Sequence, residues 1–392
     1  MPENKSSTYH KLIEGIFYVV IIIFVFNSCK NKNALPDKTS EYQPVSVKYA
    51  RHFDLIPENG YTRLSIINPW QKSSGLKFEY YLLQKGIKPP AGFDTSKIIK
   101  VPVEKVVLMS TTYIPMVMAI GAGEAVKGIS GVNFVFDTIV RGKIIEGKIV
   151  DIGYEENLNK ELIFKLSPDL IIAYGVGSEA AGNMRKLEES GIKILFNADY
   201  LEENPLGRAE WIKVFGALFC REKEADSVFR AVEKEYNEIK SFISERVKNR
   251  PNVMLGLPWK DSWFISPGNS YISVIINDAG GNYLWKDSKA DYSIPLGIEN
   301  VFVKASKADF WINTGDATSI KAIVSIDKRL GFINPVRKGN VYNNNKRVSE
   351  GGGNDYWESG TLYPQRILKD IASILHPELF PGYEWYYYRK IE

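Results

Sequence analysis

The nonapeptide SPDLIIAYG, residues 167–175, combines a Ser-Pro start, four consecutive apolar residues and an aromatic-glycine end. A strand that is covered on both faces of a parallel sheet has a continuous apolar run instead of an alternating pattern. The stretch therefore predicts a buried parallel strand. Open α/β sheets bind ligands beside the carboxyl ends of their strands, so Tyr174 and Gly175 are candidate ligand contacts.

The segments around this strand alternate in the same way. KVVLMS (105–110) and GIKILF (191–196) have strand-like runs, and EAAGNMRKLEESG (179–191) has a helical pattern. Such alternation predicts a parallel sheet with crossover helices. About 140 residues later, KASKADFWINTG (304–315) has the shape of KLSPDLIIAYG (165–175), which indicates a duplicated architecture.

A long amphipathic run separates the two copies of this pattern. Its apolar residues recur every three or four positions with charges between them, as in Ala225, Val228, Phe229, Val232 and Tyr236. We therefore predict an α/β fold of two lobes, 101–222 and 250–392, joined by one helix at 223–249. Residues 47–100 are rich in strand-forming residues and predict a small N-terminal β-rich extension.

Composition narrows the possible functions. The chain has 392 residues, a formal charge of +4 and 44% hydrophobic residues, which suits a globular protein of two domains and predicts no nucleic-acid partner. It has three scattered histidines and lacks a G-x-S-x-G elbow, a P-loop and a G-x-G-x-x-G sequence. We expect no metal site, no cofactor and no enzymatic activity. The alternative is an α/β hydrolase-like or other cell-envelope enzyme.

The N-terminus has the features of an export signal. Residues 16–26 are 11 consecutive apolar residues, too few to span a bilayer. Cys29 follows a small residue, as at a bacterial lipoprotein cleavage site; the alternative is a buried cysteine after a short hydrophobic helix. We expect residues 1–29 to be a lipoprotein signal peptide with acylated Cys29, and 30–46 to be a tether. Because no acidic run follows Cys29, we expect a lipid anchor in the inner membrane, facing the periplasm. The remaining cysteine, Cys220, is expected in the core.

Taken in order, several motifs resemble one known family. They are VVLMSTTYIPMVMAIGAGEAVKGISG (106–131), NLNKELIFKLSPDLIIAYG (157–175), GGNYLWKD (280–287), GIENVFVKASKADFWINTG (297–315) and HPELFP (376–381). The chain is similar to the periplasmic substrate-binding proteins of ABC importers for vitamin B12 and ferric siderophores. The resemblance implies two Rossmann-like lobes joined by a single long backbone helix. It also implies a ligand that is an iron chelate or a corrinoid, and an ABC permease dimer as partner. A haem-binding lipoprotein and a structural or adhesive lipoprotein are the alternatives.

The candidate ligand contacts fall into three groups. Hydroxyl groups and exposed helix amides follow the first strand of the alternating pattern, although helix capping is an alternative role. Aromatic side chains of the second lobe face the end of the quoted strand. GGGNDYWESG (351–360) predicts a mobile loop that presents two more aromatic side chains. The candidates are Ser110, Thr111 and Tyr113 in the first group, Tyr174, Gly175, Trp259 and Trp263 in the second, and Tyr356 and Trp357 in the third.

The resemblance also implies two permease-docking glutamates, one on each lobe. The matching positions are Glu161, 6 residues before Ser167, and Glu299, 7 residues before Ser306. An acidic residue at a helix N-terminus is also favoured by the helix dipole, which is the alternative explanation for both glutamates.

Overall fold

The computed structural model describes residues 46–154, 157–175 and 179–392. The predicted β-rich extension forms a four-stranded sheet, whose apolar face packs on the first lobe: the ring centroids of Phe53 and Trp211 are 4.8 Å apart. The strands pair in chain order, antiparallel except for the last pair, and are β1 (Phe53–Glu58), β2 (Tyr61–Ile67), β3 (Lys77–Gln84) and β4 (Ile98–Val101). The extension is therefore continuous with the core of the first lobe.

The first lobe contains a five-stranded, wholly parallel sheet. In chain order its strands are β5 (Val106–Leu108), β6 (Val126–Ile129), β7 (Val150–Asp151), β8 (Leu170–Ala173) and β9 (Ile194–Phe196). In space their order is β7-β6-β5-β8-β9, so the direction of winding reverses between β5 and β8. The quoted stretch 167–175 thus contains a fully buried strand at the switch point, where open α/β sheets hold ligands.

Six helices of the described residues belong to the first lobe. They are α1 (Ile114–Ala119), α2 (Thr138–Ile145), α3 (Lys160–Leu166), α4 (Glu179–Glu189), α5 (Pro205–Glu210) and α6 (Ile212–Phe219). Helix α6 ends at Cys220, which adopts a left-handed conformation with φ of 53° and is exposed. The expectation of a core position for Cys220 is therefore wrong, because this residue terminates a helix at the surface.

The predicted connecting helix is α7 (Glu222–Arg246), which has 25 residues. Charged residues separate the members of its buried apolar stripe, which are Ala225, Phe229, Val232, Tyr236 and Ile243. Within the described ranges, no helix combines the length and the apolar character needed to cross a bilayer.

The second lobe repeats the α/β design and adds an antiparallel sheet. Its main sheet has the order β13-β10-β15-β16-β17, in which only β17 is antiparallel to its neighbour, and the additional sheet has the order β11-β12-β14. The strands are β10 (Asn252–Leu255), β11 (Pro258–Trp259), β12 (Ser262–Ile265), β13 (Asn282–Tyr283), β14 (Ile294–Gly297), β15 (Phe310–Ile312), β16 (Val341–Asn343) and β17 (Arg389–Lys390).

The helices of the second lobe are α8 (Tyr271–Asp278), α9 (Ile298–Ala305), α10 (Ile320–Ile326), α11 (Asn334–Lys338), α12 (Asp355–Glu358) and α13 (Pro364–Leu375). The structure confirms the predicted fold class: two α/β lobes, one long helix between them and an N-terminal β-rich extension. Cys29, the signal peptide and residues 30–45 of the predicted tether lie outside the described residues.

Candidate functional site

A cavity of about 300 Å³ lies at the carboxyl ends of β5 and β8, where the first lobe faces the second. Most of its lining side chains carry a hydroxyl, carboxyl or guanidinium group, which suits a ligand with an oxygen-rich periphery. The lining residues are Ser110, Thr112, Tyr113, Tyr174, Asp199, Tyr200, Arg208, Trp357 and Thr361.

The loop after β5 supplies a hydroxyl edge to the cavity. Ser110 caps the following turn, because its Oγ accepts from the Thr112 amide at 3.3 Å and lies 2.8 Å from the Thr112 hydroxyl. Capping and lining therefore coexist in Ser110. Tyr113 lines the cavity although its side chain is almost fully buried, and burial raises the pKa of its phenol. Thr111 is not among the lining residues, and its neighbour Thr112 takes that place.

The end of β8 forms another wall. Tyr174 lines the cavity, whereas Gly175 is buried and accepts a hydrogen bond at its carbonyl oxygen from the Tyr200 hydroxyl at 2.5 Å. Burial raises the pKa of Tyr200 to about 12, so its phenol remains a neutral donor. The structure thus brings Tyr174 of the predicted strand end to the cavity, whereas Gly175 lies behind it and binds the hydroxyl group of the lining residue Tyr200.

Two charged residues of the cavity were not predicted from the sequence. Asp199 follows β9, and Arg208 lies on α5. The Arg208 guanidinium donates from Nε to the Asp199 carbonyl at 3.2 Å and from Nη2 to the Tyr200 carbonyl at 2.9 Å. Burial raises the pKa of the Asp199 carboxyl to about 6, although the charge of Arg208 opposes this rise. Asp199 could have been found by applying to β9 the strand-end rule that selects Tyr174.

The lobes contact one another beside the cavity through a buried carboxylate. Glu358, at the end of α12 in the second lobe, accepts from the amides of Phe136 and Asp137 in the first lobe, each at 2.8 Å. Arg208 also reaches across, with its guanidinium carbon 4.2 Å from the centroid of the Tyr271 ring on α8. Two separate sets of contacts therefore join the lobes in this structure.

The glycine-rich segment 351–360 begins with glycines that pack closely against the first lobe. A β-carbon on Gly351 or Gly353 would overlap the carbonyl oxygen of Asn133 or Phe134, respectively. Glycine at these two positions therefore permits the backbones of the two lobes to approach closely. The expectation of a mobile loop is wrong for this physical reason.

The two aromatic residues of this segment have different positions. Trp357 is 54% exposed and lines the cavity. Tyr356 is almost fully buried, with its ring centroid 5.8 Å from that of Tyr387 and 5.9 Å from that of Tyr388. Tyr356 therefore packs in the core behind Trp357, and it is not among the lining residues.

The two predicted tryptophans of the second lobe do not line the cavity either. Trp263 is fully buried, donates from Nε1 to the Leu255 carbonyl at 2.9 Å and packs against Trp311. It has no surface to offer a ligand, so its assignment as a ligand contact is corrected to a core position. Trp259 is 64% exposed on β11, where the Lys260 ammonium lies 4.4 Å from its ring centroid.

Both predicted docking glutamates are exposed in the first turns of short helices. Glu161 lies on α3, whose N-terminus is capped by the Asn159 side chain. Glu299 lies on α9 and forms an ion pair with Arg329, with an N–O distance of 2.6 Å. Helix-dipole stabilisation and availability to a partner are both compatible with these positions.

The part of the chain that the structure describes contains no cluster of three or more His, Cys, Asp or Glu side chains able to hold a metal ion.

The fold and the cleft define a solute-binding protein of two lobes with a single connecting helix. Residues 106–346, more than half of the chain, match the model of the family described as "Periplasmic binding protein", and the protein belongs to that family. It is a binding protein and not an enzyme.

The chain is similar in sequence or in fold to several other proteins. An uncharacterized lipoprotein of Methanocaldococcus jannaschii is 28% identical over 97% of this chain and 96% of its own length. A periplasmic haem-binding protein of Pseudomonas aeruginosa has a TM-score of 0.57 at 13% identity, covering 74% of this chain and 98% of that chain. A possible iron-binding, periplasmic solute-binding protein of Staphylococcus epidermidis has a TM-score of 0.55 at 18% identity, covering 70% and 99%. These two structural similarities concern the fold.

Proposed function

We propose that the protein is the solute-binding lipoprotein of an ABC importer, and that it captures an iron complex in the cleft between its lobes. One observation supports the proposal: a cavity lined mostly by residues with hydroxyl, carboxyl or guanidinium groups lies at the switch point of the first sheet, and residues of the second lobe complete its lining. A cavity that is built between two lobes suits the capture and release of a solute. Its hydroxyl and guanidinium groups suit the oxygen atoms at the periphery of a chelate.

The ligand contacts in this proposal are the predicted residues that line the cavity. They are Ser110 in the loop after β5, Tyr113 beside it, Tyr174 at the end of β8 and Trp357 from the second lobe. Asp199 and Arg208 join them as the charged members of the site.

A haem or a corrinoid is the second candidate ligand. The haem alternative is suggested by the similarity to the haem-binding protein of Pseudomonas aeruginosa, whose fold covers 74% of this chain. The exposed Trp357 ring at the cavity would offer a flat surface to a macrocycle.

A binding panel tests the proposal. Isothermal titration calorimetry of the purified protein should detect one site for a ferric chelate, haemin or cobalamin. The panel includes ferric citrate and ferric complexes of hydroxamates and catecholates. A sugar or a peptide that binds tightly while every metal complex fails would contradict the proposal.

We further propose that Glu161 and Glu299 meet arginines on the two permease subunits. Their exposure supports this role, since charges on a docking surface steer and orient the partner. Reversing both charges, Glu161→Arg and Glu299→Arg, should abolish uptake by cells that carry the permease and leave ligand affinity intact. Glu238→Arg, on the exposed face of α7, is the matched control. Normal uptake by the double variant would remove the assignment.

Anchoring completes the proposal. Acylation of Cys29 would hold the protein at the inner membrane, with residues 30–46 as the tether and the cleft in the periplasm. The lipoprotein name of the Methanocaldococcus jannaschii relative supports this anchor. Cys29→Ser should release the protein from the membrane fraction, and metabolic labelling with a fatty acid should label only the chain with Cys29.

A further inference from the structure

We infer that the closed cleft selects a compact anionic chelate, one metal ion held by a small hydroxycarboxylate, and excludes macrocycles and large siderophores. This inference rests on the proposed function and narrows its ligand. It depends on the size of the cavity, on the contacts that fix that size and on the chemistry of the lining.

The size of the cavity sets the first limit. Its volume is about 300 Å³. Ligand pockets in proteins range from roughly 300 to 1,000 Å³, so this cavity lies at the lower end. The cavity is half-open, so a macrocycle with several tens of non-hydrogen atoms would have to extend out of it, whereas an ion with one small chelator fits inside.

Two separate sets of contacts between the lobes limit this size. In the first, Glu358 binds the amides of Phe136 and Asp137, and Gly353 lies against the Phe134 carbonyl. In the second, the Arg208 guanidinium covers the Tyr271 ring. A larger ligand would have to break these contacts, so the cost of opening counts against its affinity.

The chemistry of the lining sets the charge and the donor type. Arg208 donates hydrogen bonds from Nε and Nη2 to two carbonyls, and among the described residues Nη1 has no hydrogen-bond acceptor, so it can bind a ligand. A guanidinium is well suited to carboxylate oxygens, and the neighbouring hydroxyl and phenol groups donate to the same kind of acceptor. Trp263 and Tyr356 are buried, so neither of these rings is available to enclose a flat macrocycle.

The Asp199 carboxyl should make the affinity for the ligand depend on pH. A purely structural role of Arg208 would not produce such a dependence. Its carboxyl lines the cavity; the charged groups that act on it are Arg208 and Glu202, and the phenols of Tyr113 and Tyr200 lie near it. Since burial raises the pKa of Asp199 to about 6, the carboxylate repels an anionic ligand above that pH. Asp199→Asn should therefore tighten chelate binding several-fold at pH 7.5 and have little effect at pH 5.

The decisive experiment compares ligands of different size on the purified protein. We expect ferric citrate to bind at least tenfold more tightly than haemin, cobalamin or a ferric trihydroxamate, with iron-free citrate binding more weakly than the ferric complex. Equal or tighter binding of a large complex would overturn the inference and leave the proposed function standing. Equal binding of iron-free citrate would also overturn it. Failure of every metal complex would overturn the proposed function itself.

Variants of the lining residues distinguish the effect of cavity size on ligand affinity from the effect of charge. Trp357→Ala widens the cavity and should raise the affinity for haemin relative to ferric citrate. Arg208→Gln should weaken ferric citrate binding at least about tenfold, as expected for loss of a hydrogen bond from a charged donor. Arg230→Gln, exposed on α7, is the control and should bind as the unchanged protein does. Circular dichroism verifies that Arg208→Gln is folded. An unchanged ligand preference in Trp357→Ala, together with unchanged ferric citrate affinity at pH 7.5 in Asp199→Asn, would overturn the inference.

Discussion

Two glutamates join separate parts of this molecule by the same chemistry and in different surroundings. Glu210 accepts from the amides of Lys48, Tyr49 and Ala50 and so attaches the start of the extension to the first lobe. Glu358 accepts from two amides of the first lobe and so attaches the second lobe across the cleft. Both carboxylates are almost fully buried.

The difference between them is the counter-charge. The Lys213 ammonium lies 2.7 Å from Glu210, so that this joint is a buried ion pair. Glu358 faces Asp355 and Asp137, both of which oppose its ionisation, while the nearby Arg347 is paired with Asp355. Burial raises the pKa of Glu358 to about 7. The extension is therefore held by a joint whose charge is balanced, and the cleft by a group that can titrate near neutral pH.

The largest effect is expected when the buried ion pair between Glu210 and Lys213 is removed. Glu210→Ala leaves the Lys213 ammonium buried without its carboxylate and three amides without an acceptor, and should lower the free energy of unfolding by about 3–5 kcal/mol. Chemical denaturation measures this loss. Glu233→Ala is the matched control, because the Lys48 ammonium that it pairs with is largely exposed, and its loss should be much smaller. Equal losses in the two variants would show that burial does not distinguish these joints.

The second prediction concerns the pH dependence of closure. In an open cleft, water would return the pKa of Glu358 towards its ordinary value of 4.5, so closure takes up a proton. Closure should therefore be most favourable below pH 4.5 and weaken as the pH rises to about 7, by at most about 3 kcal/mol. Fluorescence energy transfer between dyes at the exposed positions 145 and 303, one in each lobe, would follow it. Glu358→Gln should remove the pH dependence, whereas a persistent slope would assign it to another group.

The dye experiment needs one precaution and one comparison. The chain has two cysteines, Cys29 and the exposed Cys220, and both must first be replaced by serine so that the dyes attach only at the introduced cysteines. Asp199→Asn serves as the comparison, because the pKa of Asp199 is also raised, to about 6, and its carboxyl lies in the cavity. If the pH dependence of closure resides in Glu358, this variant should retain it.

The third prediction tests how closely the lobes must approach. Gly353→Ala places a β-carbon against the Phe134 carbonyl and should oppose closure by about 1–3 kcal/mol. Small-angle scattering and ligand affinity would report a wider cleft and weaker binding. Gly142→Ala, on α2 with open space around it, should change neither. A Gly353→Ala variant with a closed cleft and unchanged ligand affinity would show that the backbone of 351–353 can shift at little cost.

The smallest effect is expected at Glu299, an exposed carboxylate that contrasts with the buried Glu210 and Glu358. Glu299 is paired with Arg329 at the surface, where solvent screens the interaction. Arg329→Gln should leave thermal stability indistinguishable from that of the unchanged protein. It should increase the rate of docking on the permease if Glu299 is a docking residue, because the glutamate then lacks an internal competitor. A marked fall in the melting temperature would mean that the pairs of Arg329 with Glu299 and with Asp327 are structural.

The two-lobed α/β architecture and one edge of the cavity could be predicted from the sequence. The continuous run of 170–173 identifies a buried parallel strand, and the strand-end rule then leads to Tyr174 and the loop at Ser110. Arg208 could not be found in this way, because it comes from a helix well after the end of β9. No local pattern indicates that its side chain returns to the Asp199 carbonyl.

The other errors have a common physical cause. In the strand 262–265, aromatic residues lie on both faces, so the alternation that normally distinguishes inside from outside does not show that Trp263 points into the core. The glycines of 351–353 suggest mobility because the backbone that they pack against is remote in sequence. The Glu358 bond to Phe136 spans 222 positions. Such contacts are set by tertiary structure and leave no local signal.

The attachment of the extension also has a consequence for the synthesis of the protein. Lys48 precedes the carboxylate that holds its amide by 162 residues. At about 5–20 residues per second, roughly ten to thirty seconds of synthesis separate the two. Throughout that interval the apolar face that includes Phe53, Leu64 and Ile66 lacks its cover, and unpaired strand edges are exposed. The start of the extension can therefore take its final position only after Glu210 has been synthesised, just past the middle of the chain.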